Sequence, residues 1–77
     1  MGNSERIERA SEYKKFGGEK FKAGNIEEAI DYYREAYHFI FDLVDARRVE
    51  RSKLLVSLCL NLALCYERLA DDVVSVF

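Results

Sequence analysis

Residues 24–36, GNIEEAIDYYREA, decide the fold that the sequence predicts. Gly24 ends one helix as a left-handed cap, and Asn25 can cap the next, with Glu28 placed to complete a capping box. Because the link between them is so short, the two helices are expected to form an antiparallel hairpin. The second helix carries one continuous apolar face with steps of three and four residues. Its members are Ala29, Tyr33, Ala36, Ile40 and Leu43.

The composition indicates one small all-α domain. Hydrophobic residues make up 49% of the 77 positions and charged residues 34%, which is typical of a globular chain. The sequence has no proline, and none of its four glycines follows Gly24, so the turn chemistry of a β-sheet is lacking. The formal net charge of −2 argues against a general nucleic-acid binder. The most apolar run, residues 54–66, is too short for a membrane span, which needs about 20 residues.

Three helices are predicted, at about residues 4–23, 26–46 and 51–70. Asn3 or Ser4 can cap the first of them. Its Gly17-Gly18 pair is unusual, because glycine costs about 1 kcal/mol per residue inside a helix. Two positions without side chains are therefore expected where another helix crosses closely.

The end of the second helix has no glycine or proline signal. Arg47 and Arg48 suit a helix C-terminus and Glu50 suits a new N-terminus, so we place the break near residues 47–50. The alternative is one uninterrupted helix from residue 26 to about residue 70. It would carry the last segment into a second chain and give a helix-swapped dimer.

The third helix is apolar nearly all round, which predicts neighbours on both of its sides. One side consists of Leu55, Leu58, Leu62, Cys65, Tyr66 and Leu69. Roughly opposite lie Val56, Leu60 and Leu64. The hairpin can cover only one side, so the other side is expected to meet a further helix, a second copy or a ligand peptide. Val56, Leu60, Leu64, Val73 and Phe77 are the predicted interface residues.

Residues 13–36 resemble a tetratricopeptide repeat, whose helix pairs recur about every 34 residues. The matching positions are Tyr13, Phe16, Gly17, Gly24, Ala29, Tyr33 and Ala36. Residues 61–66, NLALCY, resemble the first helix of a second repeat, with Asp71 and Ser75 at its next turn and second helix. The match covers about one and a half repeats and implies a fragment of a longer array.

Residues 28–36, EAIDYYREA, also resemble the middle helix of the microtubule-interacting-and-trafficking domain, a three-helix bundle that binds helical tail motifs. Residues 66–70 fit the end of its third helix.

The tetratricopeptide resemblance implies a peptide-binding groove. In relatives that hold the acidic C-terminal tails of heat-shock chaperones, a carboxylate clamp of lysine and asparagine lines this groove. Lys14 and Asn61 occupy two clamp positions, while Gly18 replaces another clamp asparagine. The same alignment adds Phe21, Leu64 and Arg68 to the groove.

The residues that could carry chemistry point to no active site. His38 has no cysteine or acid at metal-ligand spacing, and the serines have no histidine and acid constellation. Cys59 and Cys65, six residues apart on one helix, are separated by about 9 Å and are expected to be buried free thiols of a reducing, cytoplasmic compartment.

The sequence therefore predicts an all-α, non-catalytic protein-interaction module without metal or cofactor. Its expected partner is a peptide or a partner helix, and neither nucleic acid nor a membrane span is expected. The alternative is a homo-oligomerisation domain that associates through the third helix.

Overall fold

The computed structural model describes residues 2–41 and 48–74, which form three α-helices. Helix α1 spans Asn3–Lys22, α2 spans Ile26–Ile40 and α3 spans Arg48–Val74. Neither described stretch contains a β-strand. α1 and α2 form an antiparallel hairpin, and α3 packs mainly against α2. The predicted all-α fold, a helical hairpin with a third helix, is confirmed.

The turn between α1 and α2 consists of the three residues from Ala23 to Asn25. Gly24 has a φ of 87°, a left-handed conformation that glycine adopts without strain. The backbone N–H of Asn25 donates to the carbonyl of Lys20 at 2.9 Å, and the N–H of Gly24 donates to the carbonyl of Phe21 at 3.1 Å. These bonds satisfy carbonyls at the end of α1, and they confirm the predicted left-handed cap.

Small residues let α1 and α2 approach closely. Ala10, Ala29 and Ala36 are fully buried. A Cβ atom on Gly17 would lie 2.7 Å from Cε1 of the Tyr33 ring, so a side chain at this position would displace a buried aromatic. At Gly18 the nearest atom would be Tyr33 Oη at 3.7 Å, an ordinary contact. The predicted close crossing is thus confirmed at Gly17.

α3 runs antiparallel to α2. Near its end, Leu69 shares a surface depression with Gly24 and Ile26 at the start of α2. Near its beginning, Arg51 Nη1 donates a 3.1 Å hydrogen bond to the carbonyl of Phe41, directly after α2. Leu58 of α3 is fully buried. The hydrophobic core therefore follows α2, with α1 on one side and α3 on another.

The observed end of α2 and start of α3 both differ from the predicted bounds. α2 ends at Ile40, Phe41 is in a turn, and residues 48–50 belong to α3 rather than to a break. Arg51 satisfies the Phe41 carbonyl from ten positions further along, which no local signal indicates. The alternative of one continuous helix is wrong, because α3 folds back along α2. The remaining part of the predicted second helix, residues 42–46 with Leu43 among them, lies outside the described residues, and so does residue 47 of the predicted break.

The predicted caps differ from those observed. Asn25 holds the cap position of α2 but makes no side-chain capping bond. Glu28 does not complete a capping box, because its Oε2 lies 3.2 Å from Lys20 Nζ, across the hairpin. Gly2, rather than Asn3 or Ser4, precedes the first helical residue of α1. The backbone N–H of Asn25 that a capping box would use already donates to the Lys20 carbonyl, and Glu28 pairs with the Lys20 side chain instead.

Candidate protein-binding surface

The side of α3 that points away from the hairpin is apolar. Val56 is 59% exposed, Leu60 61% and Leu64 52%, while Leu58 on the opposite side of the same helix is fully buried. We call Val56, Leu60, Ala63 and Leu64 the outer face of α3. Exposed large aliphatic side chains that are contiguous on one helix are typical of an interaction surface, because isolated ones are common but clusters are not.

Of the predicted interface residues, the three on this face are exposed as expected for a contact surface. Val73 belongs to α3, but its side chain lies outside the described part of the chain, and so does Phe77. Tyr66, predicted on the inner side with Leu58, is 53% exposed instead. The prediction for Tyr66 is wrong because the buried seam of α3 follows Leu58 and Cys65, and Tyr66 lies about 100° around the helix from Cys65.

A groove of about 330 Å³ separates α1 from α3. Lys14 stands on its α1 wall and Lys53 on its α3 wall. The remaining lining residues are Ile7, Ser11, Glu50, Leu54 and Ser57. Ile7 and Leu54 pack partly against the core and supply an apolar floor. The groove thus combines an apolar base with a lysine on each side.

The five predicted peptide-binding residues do not all share this groove. Lys14 lines it. Asn61 is half-buried on α3, one turn beyond the groove residue Ser57, so it continues the same edge. Phe21 packs against the core, and Leu64 and Arg68 are exposed further along α3. The geometry therefore places Lys14 in the groove and Asn61 one turn beyond its α3 wall, and it assigns Phe21 mainly to packing.

A second groove, which the sequence did not predict, lies between α2 and α3 and has a volume of about 570 Å³. Its lining residues are Arg34, Tyr37, His38, Cys59, Leu62 and Tyr66. Beside it the Tyr37 and Phe41 rings stack with centroids 5.7 Å apart, and the His38 ring meets Phe41 edge-on at 6.0 Å. Cys59, predicted to be buried, is an exposed thiol here.

The aromatic residues of α2, together with Phe41 directly after it, fall into two groups, and this pattern is a sequence signal for the second groove. Phe39 stacks on Tyr13 of α1 at 5.4 Å, and Tyr32 lies 6.0 Å from the same ring. Tyr37 instead lines the groove between α2 and α3, and Phe41, which stacks on Tyr37, is about half exposed. Aromatic residues on two sides of one helix indicate two neighbouring surfaces, of which α1 covers one.

The shifted titrating groups belong to the core rather than to a surface site. Burial raises the pKa of the Cys65 thiol above its ordinary value of 9.0. Burial first, and the neighbouring Cys65 second, raise the pKa of Tyr33 above 10.0. Both groups are neutral at physiological pH, which suits an apolar interior.

Within residues 2–41 and 48–74, no three histidine, cysteine, aspartate or glutamate side chains converge to hold a metal ion. In the same part of the chain, none of the helices has an apolar stretch long enough to cross a bilayer.

Comparison of the chain with protein-family models, with curated proteins and with solved structures finds no significant match. The resemblances to the tetratricopeptide repeat and to the microtubule-interacting-and-trafficking domain therefore stay predictions that rest on the residues quoted above. The surfaces of α3 carry the functional argument instead.

Proposed function

We propose that this domain is a non-catalytic protein-interaction module that binds an acidic peptide in the groove between α1 and α3. One observation carries the proposal: Lys14 and Lys53 stand on opposite walls of a groove whose floor is apolar. A peptide with acidic side chains or a terminal carboxylate could place negative charge between the two ammonium groups and rest apolar groups on the floor.

The position of Asn61 also supports binding of an acidic peptide. Its half-buried amide offers donors and an acceptor to the backbone of an extended peptide, one turn beyond Ser57. The resemblance to clamp-bearing tetratricopeptide domains points to the same two residues, Lys14 and Asn61. Because the lysines are only partly shielded from water, the affinity should fall as the salt concentration rises.

A titration with a labelled acidic peptide tests the proposal. Fluorescence anisotropy should show binding to the wild-type chain, and Lys14→Ala and Asn61→Ala should each weaken it about fivefold, which corresponds to ~1 kcal/mol. Lys15→Ala is the matched control, because Lys15 is exposed on α1 and does not line the groove. Equal affinity in all four proteins, or no binding by the wild type, would overturn the proposal.

A second candidate function, self-association through α3, has its own observation. The outer face of α3 exposes more than half of Val56, Leu60 and Leu64, beyond the reach of the hairpin core. Burial of such side chains contributes about 25 cal/mol per Å² of apolar surface, so a partner helix would be stabilised there. Light scattering distinguishes this candidate, since it would give a mass above that of one chain, 9.0 kDa.

Two further properties belong to the same proposal. We place the domain in a reducing compartment such as the cytoplasm, because both cysteines are free and one thiol is exposed. We infer that the domain is non-catalytic, because its serines have no histidine and acid constellation in the sequence. No metal or cofactor enters the proposed binding.

A further inference from the structure

We propose that two copies of this chain pair through the outer face of α3 in an antiparallel register centred on Leu60. This inference rests on the self-association candidate and specifies its geometry. Its basis is a symmetry in the exposed residues of α3. Val56 and Leu64 lie four residues before and after Leu60, and Lys53 and Glu67 lie seven residues before and after it.

All five residues occupy one side of the helix. At about 100° per residue, steps of four and seven place each of them within about 40° of Leu60 around the axis. Val56, Leu60 and Leu64 are more than half exposed, and Lys53 and Glu67 are also exposed. The side is thus an apolar centre with a cation at one end and an anion at the other.

The charges select the direction of pairing. If a second α3 lies antiparallel across this face, Lys53 of one copy meets Glu67 of the second copy, and this happens twice. A parallel pair in register would instead bring lysine against lysine and glutamate against glutamate. Opposite charges at such flanking positions favour a pairing and like charges oppose it.

The apolar centre fits the same register. Leu60 meets Leu60 of the second copy, and Val56 meets Leu64 on either side of it. Ala63 is an exposed small residue one turn from Leu60, and it allows the two helices to approach closely. Lys53 also lines the groove between α1 and α3, so Lys53→Glu is expected to change peptide binding as well as pairing. Lys14 belongs to the groove and Glu67 lies outside it, so variants at these two positions separate peptide binding from pairing.

Charge-swap variants test the direction. Lys53→Glu and Glu67→Lys should each weaken the dimer about tenfold in sedimentation equilibrium, because each places like charges together. The double variant carrying both changes should regain wild-type affinity, since the opposite pairs are restored with their signs exchanged. A parallel dimer would show no such rescue, because its like pairs persist in every variant.

Disulfide formation tests the register. Val56→Cys and Leu64→Cys are introduced into separate chains of different mass, both in a Cys59→Ser background. Antiparallel pairing predicts a disulfide between the two different chains on mild oxidation. Val56→Cys alone should not cross-link, because its two copies would be offset by eight residues, about 12 Å, which exceeds the reach of a disulfide.

Each outcome decides the inference. Rescue by the double swap together with the mixed disulfide supports it. A dimer without rescue, or with Val56→Cys homodimers, overturns the antiparallel register while leaving self-association intact. A wild-type chain that stays at 9.0 kDa at every concentration overturns both the antiparallel register and self-association. Glu67→Lys and the disulfide test leave the residues that line the α1–α3 groove unchanged, so their results are independent of the acidic-peptide titration.

Discussion

The two sides of α3 are similar in composition and opposite in environment. The inner side carries Leu58 and Cys65, both fully buried against the hairpin. The outer side carries Val56 and Leu60, both about 60% exposed. Hydrophobicity alone therefore does not define the core of this domain. The core is defined instead by the width of the α1–α2 hairpin, because two helices can cover only one side of a third.

The largest expected change in stability distinguishes the inner side of α3 from its outer side. Leu58→Ala removes a fully buried side chain and should lower the free energy of unfolding by about 2–5 kcal/mol. Leu60→Ala, two residues away on the outer face, should change it by less than about 0.5 kcal/mol at a concentration where the chain is monomeric. Urea unfolding of both variants makes the comparison. Equal losses would show that the outer face is packed after all.

The next effect concerns two adjacent glycines of α1. Gly17→Ala would bring a Cβ atom to 2.7 Å from the buried Tyr33 ring. Overpacking costs about 1–3 kcal/mol and outweighs the helix propensity of about 1 kcal/mol that alanine gains. Gly18→Ala meets only an ordinary contact at 3.7 Å and should be stabilising by up to about 1 kcal/mol.

Thermal unfolding of the two glycine variants checks whether each change is destabilising or stabilising. We expect a lower melting temperature for Gly17→Ala and a higher one for Gly18→Ala. Two changes in the same direction would contradict the account of the close crossing, because the two sites differ only in the space beside Tyr33.

The smallest effect is a dependence on pH. Burial raises the pKa of Cys65 above 9.0, so the folded chain holds this proton more tightly than the unfolded chain does. The contribution of the buried Cys65 thiol to the free energy of unfolding is therefore fully present below pH 9.0. It declines as the pH rises toward the raised pKa of Cys65. Tyr33, whose pKa is raised above 10.0 by burial and by Cys65, adds a further decline at higher pH.

Urea unfolding from neutral to alkaline pH measures this decline. Cys65→Ala should move its onset toward the titration of Tyr33, while Cys59→Ala should leave the curve unchanged because Cys59 is exposed. Thiol labelling adds a direct check, with Cys59 reacting at once and Cys65 only on unfolding. Equal labelling rates would contradict the burial of Cys65.

Much of the fold could be predicted from local pattern. Gly24 marks the turn because its left-handed backbone suits glycine, and Gly17 marks the crossing because the Tyr33 ring occupies the space of a side chain there. The apolar repeat around α3 also predicted that its two sides would need different neighbours. These features depend on residues near one another in the chain, or on the periodicity of a single helix.

The errors share a different cause. The end of α2 depends on Arg51, ten residues beyond Phe41, and the partner of Glu28 is Lys20 on the other arm of the hairpin. The exposure of Tyr66 and Cys59, and the groove between α2 and α3 that they line, depend on how α3 is rotated about its own axis. Periodicity predicts a face, but contacts between distant residues set its rotation.

The concentration dependence of the melting temperature tests the central claim, that the outer face of α3 is a surface through which copies of this chain associate, rather than core. The melting temperature of the wild type should rise with protein concentration, because association stabilises the folded state. Leu60→Glu should melt cooperatively at one temperature throughout and have the mass of a single chain. A wild-type melting temperature that does not change with concentration, or a Leu60→Glu chain that fails to fold, would contradict the account.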